Sequence, residues 1–192
     1  MNFNSIQYLL FLGLSLLVYY LLPRRARNVQ LLLASYFFYM CWNPAYALLM
    51  LFSTAVTYGC GLLVGNAVWG KRRHWVALSL LLNLGVLFFF KYYNFAAGLL
   101  SDVIHAAGLG LDVPLLDVLL PVGISFYTFQ ALGYTIDVYR KDVAAEKNFI
   151  DYALFISFFP QLVAGPIERS GNILHQLKEY DPFRYENIKT GI

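Results

Sequence analysis

Pro121-Val-Gly-Ile-Ser-Phe-Tyr-Thr-Phe-Gln-Ala-Leu-Gly-Tyr-Thr-Ile-Asp-Val-Tyr-Arg140 is long enough to cross a bilayer, yet it breaks the rules for a plain anchor. Pro121, Gly123, Gln130, Gly133 and Asp137 all fall inside it. Polar and ionisable groups at membrane depth are costly and face a bundle interior or a wet cavity. Gln130, Tyr134 and Asp137 recur at steps of four and three, which draws one polar stripe along a helix. Two readings follow: the stripe lines a cavity, or it hydrogen-bonds neighbouring helices. Arg140 lies three residues after Asp137, where the two can pair.

Working outward, the chain repeats apolar runs broken by short charged or turn-forming pieces. Of 192 residues, 59% are hydrophobic, 18% aromatic and only 13% charged. The charged share is about half that of a soluble domain, which points to a polytopic membrane protein. The pattern predicts spans at 6–22, 29–42, 46–69, 75–100, 115–139 and 149–163. The last is short and is interrupted by Pro160 and Gln161, so it either spans or re-enters the membrane, with re-entry the favoured reading. Ile173, Leu174, Leu177 and Tyr180 share one face of a predicted interfacial helix over 172–180. The fold class expected is all-α: a transmembrane bundle with re-entrant or broken helices.

Charge sets the orientation. Seven basic residues and no acidic one precede Asp102; seven basic and eleven acidic residues follow from it. The basic groups cluster at 24–27, 71–73 and 140–147, read as short loops on the cytoplasmic side, which leaves the N-terminus outside. These are topology signals and not a nucleic-acid patch. No cleavable leader is expected, because the residues before the first apolar run carry no positive charge.

Site chemistry is sparse. Cys41 and Cys60 have neither disulfide nor metal spacing, so no metal is expected. His74, His105 and His175 have no sequence neighbour that would make a triad. The second irregular piece, Phe159-Pro-Gln-Leu-Val-Ala-Gly-Pro-Ile-Glu-Arg169, implies a broken helix with Gln161, Glu168 and Arg169 beside it. The end at Lys189-Thr-Gly-Ile192 lacks helix-capping logic, and the chain reads as the front of something longer.

These two pieces, together with Phe88-Phe-Phe-Lys-Tyr-Tyr-Asn94, resemble segments of the membrane-bound O-acyltransferases in their family order, and the nearest branch is the bacterial alginate O-acetylases. The resemblance covers the whole chain but about two-fifths of a typical member. It implies a helical bundle around a funnel in the bacterial inner membrane, with a periplasmic N-terminus. It implies acetyl transfer from a cytoplasmic donor, acetyl-CoA, towards a periplasmic acetyl-accepting protein of an exopolysaccharide machinery, with no cofactor held. It also implies that the active-site histidine lies in the missing C-terminal half. On this reading no residue here is catalytic, and Gln130, Tyr134, Asp137, Arg140, Gln161, Glu168 and Arg169 are candidates for the funnel wall. Two rivals stand beside it: a non-catalytic polytopic scaffold or truncated relic, and a small transporter, for which no inverted repeat is visible.

Overall fold

A computed structural model describes residues 5–66, 69–108, 113–116, 120–162 and 169–178. Glu168 and Tyr180, named above, lie outside the described residues. The order is α1 (Ile6–Leu21), α2 (Arg24–Met40), α3 (Pro44–Asn66), α4 (Trp69–Ala106), α5 (Ile124–Arg140), α6 (Phe149–Ser157), α7 (Phe159–Leu162) and α8 (Ser170–Lys178). Among the described residues there is no strand.

Helix starts and stops follow local chemistry. Ser5 caps α1 by accepting the Tyr8 N–H at 3.2 Å, and Asn148 caps α6 by accepting the Ile150 N–H at 3.0 Å. Pro23, with φ −64° and ψ 151°, ends α1 and launches α2 at once. The Arg24–Arg27 cluster is therefore the first turn of a helix and not a loop. Lys71–Arg73 likewise lies inside α4.

Two described helices are long and apolar enough to cross a membrane: α3 (Pro44–Asn66) and Lys71–Ala106 of α4. At ~1.5 Å per residue α4 runs to roughly 57 Å, well beyond a hydrocarbon core of about 30 Å. Its C-terminal half exposes Phe88, Phe89, Tyr92, Phe95 and Leu99. Helices α1 and Phe149–Leu162 are apolar but shorter.

The main core gathers around α3, α5 and α6, with Met50, Val64, Tyr127, Ala131, Tyr134, Tyr152 and Phe155 closed to solvent. Contact between α3 and α5 depends on small residues. A Cβ on Gly61 would sit 2.6 Å from Tyr134 Cε1, and one on Gly65 would sit 2.8 Å from Ala145 Cβ. The two glycines, four apart, let the Tyr134 ring and the loop after α5 lie directly on the α3 backbone. Helix α6 is buried from Asp151 to Ser157, seven of its nine residues, which means protein on every side of that stretch. Its length of roughly 13 Å is less than half a hydrocarbon core.

The segment before α5 is held from α4. Asn94 donates to Leu116 O at 2.8 Å and accepts the Leu116 N–H at 2.9 Å. Tyr93 donates to Pro114 O, and Ser101 Oγ accepts the Val113 N–H. So the aromatic stretch ending at Asn94 acts as a clamp on non-helical chain. Gly123 then turns with φ 77°, and a Cβ there would lie 3.1 Å from Leu162 O. Both backbone and space require glycine at that point.

Gly61→Ala is expected to destabilise by about 1–3 kcal/mol through overpacking against Tyr134. Thermal unfolding in detergent would measure it. A Gly61→Ala/Tyr134→Leu double variant should lose less than the two single changes added together, and strict additivity would show that the contact is not the cause.

Candidate functional site

The polar stripe of α5 faces protein. Gln130 is buried and donates from Nε2 to Phe155 O at 2.7 Å. That carbonyl belongs to the last turn of α6. In a continuous helix it would accept the Phe159 N–H, but Phe158 departs from helical geometry (φ −52°, ψ 107°), and the Phe159 N–H goes instead to Ser35 Oγ at 3.3 Å. Ser35 on α2 and Gln130 on α5 thus satisfy the two halves of one broken backbone bond. Pro160 forbids simple repair, because it has no N–H and its ring would collide with the Ile156 carbonyl.

Tyr134 is buried, and its hydroxyl accepts the Glu146 N–H at 2.8 Å. Its ring lies 4.6 Å from that of Tyr152. Tyr152 donates to Thr57 Oγ1 at 2.7 Å, and Thr57 donates to Ser53 O on α3. Ser53 then bonds Asn83 of α4, Asn83 donates to Ser79 O, and Ser79 lies 3.3 Å from Thr135 of α5. A polar thread therefore runs from α6 through α3 and α4 back to α5. Sequence reasoning missed it; the Ser/Thr positions of α3 were the available signal.

Asp137 is half-buried and accepts from Ser170 Oγ at 2.8 Å, which ties α5 to α8. Arg140 is exposed in the last turn of α5, and no ion pair joins it to Asp137. Gln161, on α7, lines a cleft of about 540 Å³ with Tyr19, Tyr20 and Gln176. Arg169 is exposed just before α8. The described candidates therefore do not meet in one cavity: Gln130, Tyr134 and Asp137 bind separate helix partners, and Gln161 faces a different space.

The ends of α1, α3 and α5 and the starts of α2, α4 and α6 gather at one pole, which collects the basic residues. Arg72 is buried there; its guanidinium donates to Val64 O at 2.8 Å and Val138 O at 3.0 Å. These are last-turn carbonyls of α3 and α5, so one cation satisfies and neutralises two helix C-termini. At the same pole Glu146 is buried, and its carboxylate receives Lys178 Nζ of α8 at 2.5 Å and the Lys147 and Asn148 N–H groups at 3.0 Å. Burial by itself would raise the Glu146 carboxyl; the ammonium and the two amides outweigh it and hold the group below the usual carboxylate range. The face of α8 sent to the membrane interface by its sequence pattern instead packs Ile173, Leu174 and Leu177 on the core, with Asn172, His175 and Gln176 outward.

His74, His105 and His175 are all exposed, on α4 and α8. Among the described residues, no group of His, Cys, Asp and Glu could hold a metal ion.

Gln130→Leu should leave Phe155 O without a partner at a cost of about 1–3 kcal/mol, readable as a lowered Tm. Because the folded Glu146 value is depressed, its contribution is full above the ordinary carboxylate range and fades as pH falls through the lowered value. Lys178→Met removes that opposition to burial. Acid-induced loss of Tm in this variant should therefore begin at higher pH than in the unmodified protein; identical pH profiles would remove the pair from the stability of this pole.

Over 92% of its length the chain is 43% identical to the "Probable alginate O-acetylase AlgI" of Pseudomonas aeruginosa, of which it covers 34%. The protein of the same name from Azotobacter vinelandii is 42% identical over 92% of the chain and 36% of that protein. The "Peptidoglycan O-acetyltransferase" of Helicobacter pylori is 30% identical over 95% of the chain and 40% of that protein. The chain thus spans about a third of the length of the curated relatives it matches. No family model matches it, and no solved structure does.

Proposed function

We propose that this chain is part of a membrane-bound O-acetyltransferase that modifies an extracellular polysaccharide. The observation that carries the reading is similarity to relatives named for two acceptors, alginate and peptidoglycan, over nearly the whole chain. The two names share a reaction class, transfer of an acetyl group to a sugar hydroxyl, and that class is what passes to this chain. An exopolysaccharide is the proposed acceptor, because the higher identity lies with the alginate acetylases.

In this reading the protein is multi-pass in a bacterial inner membrane with its N-terminus periplasmic. Acetyl-CoA donates from the cytoplasmic side, and a periplasmic protein receives the acetyl group for delivery. A hydroxyl on the receiving side attacks the thioester carbonyl, a tetrahedral intermediate forms, the CoA thiolate leaves, and the resulting acetyl ester passes to the sugar hydroxyl in a second transfer that frees the relay hydroxyl. A base must take the hydroxyl proton. We assign that base to a histidine of the protein beyond these residues, since His74, His105 and His175 are all exposed on α4 and α8.

The residues here do the positioning. The α6–α7 break places a short, irregular element inside the bundle, where Ser35 and Gln130 keep its backbone satisfied. Such interrupted helices occur at membrane depth where they border protein or a cavity. Asp137, bound to Ser170 where α5 meets α8, and Gln161, on α7 itself, are proposed to border the acetyl path at separate points.

The test is complementation. The full-length protein, expressed in a bacterium lacking its own polysaccharide O-acetylase, should restore ester-linked acetate measured by NMR. Asp137→Asn should insert normally and lower acetate at least several-fold. Full acetylation by that variant would remove Asp137 from the path. No acetate from a stably inserted unmodified protein would leave the scaffold reading in its place.

A further inference from the structure

Helix α4 outruns the helix it packs on. Arg72 donates to Val64 O and Asn83 bonds Ser53, which fixes the antiparallel register of α3 and α4. The step from Val64 back to Ser53 equals that from Arg72 forward to Asn83. Continued to the start of α3, the same register sets Pro44 level with Tyr92. Helix α3, at roughly 34 Å, already matches a hydrocarbon core of about 30 Å. Residues 93–106 of α4 therefore overhang it by roughly 21 Å, at the end away from the basic pole. Lys91 stands at the boundary, with its ammonium 5.5 Å from the Tyr92 ring centroid, at the level where an apolar span meets water.

The overhang is not built for water. Phe95, Leu99 and Val103 share one face of α4 and are 57–71% exposed. The face runs back across the boundary through Tyr92 to Phe88, and an apolar cleft of about 380 Å³ lies along it, lined by Phe88, Tyr92, Phe95, Ala96 and Leu99. Nor is the overhang built for lipid. Asn94, Tyr93 and Ser101 hold the non-helical chain 113–116 against it, where Leu115 is 66% exposed. Irregular backbone is not left facing hydrocarbon, and a contiguous apolar ridge is not left facing water. Protein is the cover that satisfies both.

We propose that this ridge, from Phe88 to Val103, seats a helix from the part of the same protein that lies beyond these 192 residues. Length supports that occupant: the two alginate acetylases above are matched over only 34% and 36% of their own length, which leaves roughly twice as much chain to be packed. The continuity of the ridge supports a helix. Apolar side chains repeating at steps of four and three offer knobs that a second helix can interlock with, both inside the membrane and beyond it. A soluble partner would meet only the overhang and not the membrane-level part of the cleft. The inference rests on the proposed reading of the chain as part of a longer membrane protein, and not on acetyl transfer.

The experiment places p-benzoylphenylalanine at Phe95, and separately at Leu99, of the full-length protein in its own membranes, with crosslinks mapped by mass spectrometry after illumination. The expected product is an intrachain crosslink from each position to a peptide beyond Ile192. Crosslinks to lipid, to a second polypeptide or to the chain between α4 and α5 overturn the proposal, as does the absence of any product from both positions. Phe95→Glu/Leu99→Glu gives an independent readout on purified full-length protein. It should lower Tm by several degrees, because both carboxylates would be buried under the seated helix; an unchanged Tm overturns the proposal. If that variant does not accumulate, the crosslinks decide. A native polypeptide whose intact mass ends at Ile192 overturns both this inference and the reading beneath it, whereas a crosslink to lipid in a protein that still restores acetate overturns the inference alone.

Discussion

The broken backbone bond between Phe155 and Phe159 is the constraint on which the arrangement depends. A helix that stops inside packed protein leaves polar groups with no water to satisfy them. Here one orphan carbonyl meets Gln130 and one orphan amide meets Ser35, from two different helices. These bonds fix α6 between α2 and α5. They also set the height at which α7 approaches Gly123, where Leu162 O leaves room for no side chain. The cost of interrupting a helix is thereby offset by bonds that lock two others in register.

A second set of contacts works across the bundle. Gly61 and Gly65 bring α5 and its following loop onto α3, and the space admits the Tyr134 ring, whose hydroxyl holds the Glu146 amide. Without a hydrophobic driving force between helices in lipid, close packing and interhelical hydrogen bonds must supply the association. The thread from Tyr152 through Thr57, Ser53 and Asn83 to Ser79 and Thr135 supplies the second of these. The polar residues of this interior fasten helices to one another.

The basic pole shows how one residue type serves different ends. Arg24 and Arg25 are exposed on the first turn of α2. Arg72, from an equally basic cluster, is buried beneath two helix ends and bonds the carbonyls of Val64 and Val138. Nothing in Lys71-Arg72-Arg73 distinguishes the middle residue from its neighbours. The distinction comes from helix phase, because Arg72 alone of the three faces the ends of α3 and α5.

The sequence by itself determined that the chain is helical and apolar, where its helices are interrupted, and which protein segments it resembles. Composition, proline and glycine positions and short motifs are local properties, and they survive without a fold. Only the tertiary structure decided where the polar stripe of α5 points, that Asp137 meets Ser170 and not Arg140, that Arg72 is a cap, and that Tyr19 and Leu177 line two clefts. Each of these pairs residues far apart in sequence or chooses among equivalent neighbours. Such choices follow from the rotation and depth of packed helices, which periodicity constrains only to a face and never to a partner.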